Sequence, residues 1–180
     1  TLLLGLLVAV YPFAQFFGAP ILGALSDRHG RKIVLSVSLS VTLLGYIMFG
    51  IGIQTGSIVL LLLSRFVDGF TGGSISVALS AIADISDKKE KVKNFGLVGM
   101  AFGLGFILGP FIGGKLSDAT LVSWFTYSTP FWFAAGLCAI NVVLVQWRFK
   151  ETLRERIHTP MSPLTGIRNI GKAFAMPNLR

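Results

Sequence analysis

The sequence predicts an all-α fold, a polytopic bundle of membrane-spanning helices. Hydrophobic residues make up 53% of its 180 residues and only 13% are charged, whereas an ordinary soluble domain is about 25% charged. A hydrocarbon core about 30 Å thick needs roughly 20 apolar residues per spanning helix. The stretches that reach this length are 2–25, 33–53, 58–82, 95–116 and 130–147. The chain is therefore expected to lie within a lipid bilayer or against it.

The first apolar stretch is interpreted as a spanning helix and not as a targeting peptide. It has no basic region before it and is too long for the apolar part of a signal peptide. Because the chain opens already hydrophobic and stops at "AMPNLR" without a closing element, we expect it to be part of a longer protein and inactive alone. Polar residues in the first and last stretches fit either a cavity lining or helix-to-helix hydrogen bonds. They are Tyr11, Gln15 and Asn141.

The net charge of +8 is explained by the position of the cations along the chain. Except for Arg65 and Lys115, every Lys and Arg lies in 28–32, in 88–93 or after Gln146. These segments follow the first, third and fifth helices, so they share one side of the membrane. The positive-inside rule makes that side cytoplasmic in the cell membrane. Nucleic-acid binding, which would need a basic patch facing water, is not indicated.

The spanning part is predicted to cover 1–153, and 154–180 is predicted to be a cytoplasmic linker. Within this linker, Ser162 is a plausible N-cap before Pro163 at the first helical position. Apolar residues then recur near one face, while Arg168 and Lys172 lie away from it. This pattern predicts a short amphipathic helix on the inner leaflet.

Few residues suggest catalytic chemistry or metal binding. The lone Cys138 gives no disulfide framework. His29 and His158 share no metal-ligand spacing. No Ser and His pair lies within an apolar stretch, so membrane proteolysis and acyl transfer have no support. We therefore expect no enzyme activity, metal or cofactor.

The turn between the first two helices carries the motif "GALSDRHGRK", residues 23–32. Gly30 permits a tight reversal of the chain through positive φ, and the three cations suit an anionic inner leaflet. A plain basic turn would explain those features. It leaves unexplained Asp27, an acid beside the three cations.

The third stretch contains "SRFVDGFTGG", with two charges inside an apolar segment. At 1.5 Å per residue from Ser57, Arg65 lies about 12 Å and Asp68 about 16 Å into the bilayer core. They are three residues apart, so they share a helix face and can pair. Ionisable groups at this depth mark a pathway or a proton relay, although a buried structural ion pair is the alternative. Gly69, with the neighbouring glycines at 72 and 73, lets a helix or a cavity come close.

The fourth stretch, "GLVGMAFGLGFILGPFIGG", is rich in glycine. Gly105, Gly109 and Gly113 form a ridge of small residues at intervals of four, which lets helix backbones touch in lipid. Pro110 cannot donate to the carbonyl of Phe106 and is expected to kink the helix. A generic packing face is the alternative interpretation, but it does not predict the proline.

Taken in this order, the motifs resemble the N-terminal half of a major facilitator superfamily transporter, from its second to its sixth helix. The family's loop signature G-x-x-x-D-R-x-G-R-K is matched by Gly23, Asp27, Arg28, Gly30, Arg31 and Lys32. Arg65 and Gly69 match the fourth-helix signature R-x-x-x-G. The fifth-helix signature associated with antiporters is matched by Gly96, Gly105, Gly109, Pro110, Gly113 and Gly114. The chain departs from the family at Lys150, which precedes "ETL" where Pro is frequent.

This resemblance implies a partial N-terminal half of a proton-coupled drug efflux antiporter of the tetracycline-resistance type. It implies a small-molecule substrate, protons and lipid as partners, a proton gradient as the energy source, and a monomer when intact. The loop signature would latch the cytoplasmic side in one conformer, and the bent fifth helix would shape the cavity. Arg65 would influence proton transfer, with Asp68 as the acid that it biases.

Two other functions remain open. The same fold could carry a sugar, an amino acid or another metabolite, because the sequence does not identify the cargo. A non-transporting membrane scaffold is the alternative of another class, and it explains the signatures poorly.

Overall fold

The computed structural model describes residues 2–153, and every regular element in this part is an α-helix. In chain order the helices are α1 (Leu2–His29), α2 (Arg31–Thr55), α3 (Ile58–Gly72), α4 (Ile75–Ile85), α5 (Glu90–Leu116) and α6 (Thr129–Arg148). Within residues 2–153, five spans are long and apolar enough to cross a membrane, with α3 and α4 together forming the third of them. The predicted all-α membrane bundle is confirmed. The proposed linker and its amphipathic helix lie outside the described residues.

The third span is divided into two helices, whereas the sequence predicted one continuous helix over 58–82. Between α3 and α4 the backbone tightens, with the Gly73 amide donating to the Phe70 carbonyl and the Ser74 amide to the Thr71 carbonyl. A Cβ at Gly73 would lie 2.8 Å from the Ala19 Cα atom and closer still to the Ala19 amide nitrogen. The break therefore lies where the chain passes against the backbone of α1.

Close helix contact holds α1 and α3 together. A side chain at Gly18 would meet the carbonyl group of Phe70, and one at Gly69 would meet the backbone of Tyr11. Glycine permits this approach, in which dispersion contacts between backbones replace the hydrophobic effect as the packing force. The expectation that the glycines following Arg65 admit a neighbouring helix is confirmed.

A small core joins α1, α2 and α4 near the basic end, by which we mean the α1–α2 turn, the α4–α5 connection and residues 149–153. Its buried members are Leu22, Val34, Leu35 and Val77. Gly30 forms the α1–α2 turn with φ 105°, a conformation that favours glycine. The turn therefore places the loop motif next to this core.

Helix α5 lies apart from the rest of the bundle. It has no buried residue within the described part of the chain, and a Cβ at Gly105, Gly109 or Gly113 would meet no atom of residues 2–153 within 4 Å. The predicted small-residue ridge is present, but none of these helices packs on it. The helix also continues through Pro110 without a break.

Candidate functional site

Arg31 is the centre of a polar cluster at the basic end. Its Nη1 atom lies 2.6 Å from Asp27 Oδ1, and its Nε atom donates to Asp84 Oδ2 at 3.1 Å. The Ser26 hydroxyl accepts a further hydrogen bond from Nη1. Arg31 is only 6% exposed, so its charge depends on these partners for compensation. Asp27, which a plain basic turn left unexplained, is one of the two acids that pair with it.

Glu151 connects the segment after α6 to the start of α2. Its carboxylate accepts from the backbone amides of Arg31, at 2.9 Å, and Lys32, at 3.2 Å. The first amides of a helix have no partner within the helix and carry its positive dipole end. Glu151 therefore caps α2 from 120 residues away along the chain.

The same carboxylate also accepts from the amides of Thr152 and Leu153. Partial burial raises the pKa of Glu151, but the four backbone donors together outweigh it and hold the pKa below its ordinary value. The Thr152 hydroxyl also donates to Asp84 Oδ2 at 3.4 Å. Three helix ends and the segment after α6 thus meet in one hydrogen-bonded cluster.

The remaining residues of the loop motif are less constrained. A Cβ at Gly23 would lie 3.8 Å from the Ser76 hydroxyl, an ordinary contact. Within residues 2–153, Arg28 and the side chain of Lys32 form no ion pair, and both ion pairs found there belong to Arg31. The cluster is consequently organised around one arginine of the motif.

Asp68 lies inside the bundle as a buried acid. It is 3% exposed, and neither carboxylate oxygen has a hydrogen-bond partner within the described residues. The side chain faces α2 at Gly45, where a Cβ would lie 2.7 Å from the Asp68 carboxyl carbon. Only glycine at this place on α2 leaves room for the carboxylate.

The expected pairing of Arg65 with Asp68 is not formed. Arg65 places its guanidinium carbon 3.9 Å from the ring centroid of Phe49 and 5.6 Å from that of Phe131. The two rings pack on each other with centroids 4.2 Å apart. A spacing of three residues permits an ion pair on one helix face, but aromatic faces from α2 and α6 compete for the cation.

Of the predicted cavity residues, Gln15 makes the helix-to-helix hydrogen bond, donating to the Gly72 carbonyl at 3.2 Å. The Tyr11 hydroxyl packs on Gly72, where a Cβ would lie 2.6 Å from it. Asn141 instead lines a groove of about 400 Å³, together with Gly72 and Ser74. Gln15 and Tyr11 thus contact a neighbouring helix, whereas Asn141 borders an open groove.

A larger apolar groove, about 570 Å³ in volume, lies between α4 and α5. Ile75, Leu79 and Ile82 line it from α4, and Phe102 and Phe106 from α5. Gly105 of the antiporter motif also borders it. A volume of this size suits a drug-sized molecule, and the walls offer apolar contact.

Sequence reasoning missed several residues of these sites. The sequence motifs do not single out Asp84, and they include Glu151 only as part of "ETL". An acid directly after a spanning helix, within a basic segment, is a signal that would have singled out Glu151. Phe49 and Phe131 had no signal, because aromatic residues are common in membrane helices.

The chain is similar to known proteins in sequence and in structure. The sequence profile of the Major Facilitator Superfamily matches residues 2–178. The chain is 38% identical over 155 residues to the class B tetracycline resistance protein of Escherichia coli, covering 86% of this chain and 36% of that protein. It is 35% identical over 142 residues to the quinolone resistance protein NorA of Staphylococcus aureus, covering 78% of this chain and 34% of that protein.

The crystal structure of the human organic anion transporter MFSD10 is similar in fold, with a TM-score of 0.74 and 27% sequence identity. The match covers 86% of this chain and 34% of that one. The chain therefore spans about a third of the length of the proteins it matches.

Proposed function

Because the chain belongs to the Major Facilitator Superfamily, we propose that the protein is a secondary active transporter that exports small, amphiphilic, drug-like molecules in exchange for protons. The named resistance proteins among its relatives support the drug class. Proton exchange is supported by Asp68, whose carboxyl group is buried and has no hydrogen-bond partner in the described residues. In lipid such a group is costly unless it is neutral, so it favours binding a proton.

The two polar centres have different roles in this proposal. Asp68 takes up and releases the proton, and Arg65 biases that exchange through its charge. The cluster around Arg31 latches the basic end in one conformer, and breaking it opens that end. Family transporters alternate by rocking their halves around a midplane site, and a proton site within the bundle together with a latch at its end is consistent with that motion.

The orientation follows from the basic residues. The α1–α2 turn, the α4–α5 connection and the segment after α6 face the cytoplasm, which the positive-inside rule supports. Substrate enters a cavity to which α5 contributes its glycine face, including Gly96, Gly105, Gly109, Pro110, Gly113 and Gly114. Asn141 is proposed to contribute a polar contact to the substrate, whereas Tyr11 and Gln15 are engaged with Gly72 at the α1–α3 contact.

The test uses the complete gene product that contains this sequence, reconstituted into liposomes with an imposed pH gradient. We expect drug-like substrates to accumulate only when the gradient is present, and Asp68→Asn to abolish this dependence. Asp87→Asn is the matched control, because Asp87 is an exposed acid in the α4–α5 connection. Coupling that persists undiminished in Asp68→Asn would remove this residue from proton exchange.

A second candidate keeps the fold and changes the cargo to organic anions or other metabolites. The structural similarity to a human organic anion transporter favours including it. Competition between a cationic dye, a quinolone and simple organic anions in the same liposomes separates the two candidates. Transport of anions alone would replace the drug-export proposal.

A further inference from the structure

The aromatic pair Phe49 and Phe131 has no part in the function proposed so far. These rings come from α2 and α6, while Arg65 belongs to α3. The guanidinium group lies over Phe49 at 3.9 Å and near Phe131 at 5.6 Å. Three spans therefore meet around one cation.

This arrangement leaves Asp68 without the cation that its spacing would allow. Two residues three apart on a helix can form an ion pair, yet the only ion pairs in residues 2–153 belong to Arg31. The carboxylate of Asp68 instead faces the space left by Gly45. An unpaired buried carboxyl favours its neutral, protonated form, and an approaching cation favours the ionised form.

We infer that Phe49 and Phe131 act as positioning residues, holding the Arg65 guanidinium away from Asp68 while that carboxyl carries its proton. When α2 or α6 moves relative to α3, the rings release the guanidinium. It then turns toward Asp68, and as the ion pair forms the carboxyl gives its proton to water that the movement admits. This inference rests on the proposed proton exchange and names the groups that control it.

Other titratable groups around Asp68 do not supply such a cation. Those that interact electrostatically with it are Tyr11 on α1, Tyr46 on α2 and Cys138 on α6. All three are neutral in their protonated forms, so none can replace a guanidinium as a counter-charge. Arg65 is the one cation among the groups that interact with Asp68 in the described residues.

The experiment follows the proton on Asp68 directly. The complete gene product is placed in lipid nanodiscs, and the infrared band of the protonated carboxyl is titrated, with Asp68→Asn as the baseline. In Phe49→Leu the midpoint is expected to move to lower pH by roughly one unit, because the freed guanidinium favours the ionised form. Phe131→Leu is expected to move it in the same direction by less, since that ring is farther from the cation.

Two controls separate the positioning of Arg65 by Phe49 and Phe131 from a general packing effect. Phe66→Leu removes an exposed ring beside Arg65 and is expected to leave the midpoint unchanged. In an Arg65→Gln background, Phe49→Leu is expected to produce no shift, because the ring acts through the guanidinium. If Phe49→Leu does not fold, Phe131→Leu carries the same test.

A midpoint that stays at the wild-type value in folded Phe49→Leu and Phe131→Leu would overturn the inference, as would a shift that persists without Arg65. Absence of proton-driven transport by the wild-type protein would instead refute the proposed function. The infrared titration needs no transport, so the two failures are distinguishable.

Discussion

Glu151 allows the stability of the basic end to be tested by a single change. The perturbations are Glu151→Ala, which removes all acceptors, and Glu151→Gln, which keeps an acceptor oxygen and removes the charge. The carboxylate holds the Arg31 and Lys32 amides at 2.9 and 3.2 Å. Loss of a helix cap costs about 0.5–2 kcal/mol, and a charge at a helix N-terminus contributes about 0.3–1 kcal/mol when exposed.

Because Glu151 is exposed, solvent screening favours the lower part of these ranges. We expect Glu151→Ala to lower the free energy of unfolding by about 1–2 kcal/mol. Glu151→Gln is expected to lower it by about 0.5 kcal/mol. The assay is reversible unfolding in mixed micelles, with Asp87→Asn as the matched control. Asp87 is an exposed acid at the same end of the bundle, but it lies outside the helices, in the α4–α5 connection.

The pH dependence gives a second readout. The pKa of Glu151 is lower in the folded protein than its ordinary value. Its stabilisation is therefore present above the ordinary pKa and is lost as the pH falls through the folded-state pKa. The difference between wild type and Glu151→Gln is expected to vanish at acid pH. An equal loss in Asp87→Asn, or a difference independent of pH, would refute the assignment of Glu151 as a cap.

Three further predictions use the same unfolding assay. Gly73→Ala is expected to destabilise the bundle by about 1–3 kcal/mol, because its Cβ would overpack the backbone of α1. Gly103→Ala is the control and is expected to leave the stability unchanged, since a Cβ there meets nothing within 4 Å; equal losses would contradict the close approach of α1. Arg31→Lys is expected to cost about 1–3 kcal/mol, since a lysine cannot reproduce the fork that binds two acids; an unchanged stability would contradict it. Gln15→Leu is expected to cost about 0.5–1.5 kcal/mol through its lost bond to the Gly72 carbonyl, and wild-type stability would show that bond to be without effect.

Local sequence patterns predicted the spans and the close contacts within them. The length of each apolar stretch identified the five spans, and the glycines after Arg65 indicated the approach of α1. Asp27 and Arg31 are four apart, so their ion pair is a neighbour relation along one helix. These features depend on residues that are close in sequence.

The features that the sequence did not predict involve distant residues. Asp84 and Glu151 reach Arg31 across 53 and 120 positions, and no spacing rule connects such pairs. The expected pair of Arg65 with Asp68 failed for a similar reason, because Phe49 and Phe131 arrive from other spans. Helix α5 was expected to pack through its glycine ridge, but none of the described helices packs on it.

The reach of Glu151 has a consequence for biosynthesis. The start of α2 leaves the ribosome 120 residues before its cap, which corresponds to roughly 6 to 24 s at 5–20 residues per second. During that interval the first amides of α2 have no carboxylate from this segment, and water or lipid phosphate must solvate them. The basic end can therefore form all its hydrogen bonds only after α6 has been inserted, so this is a late step in the assembly of the bundle.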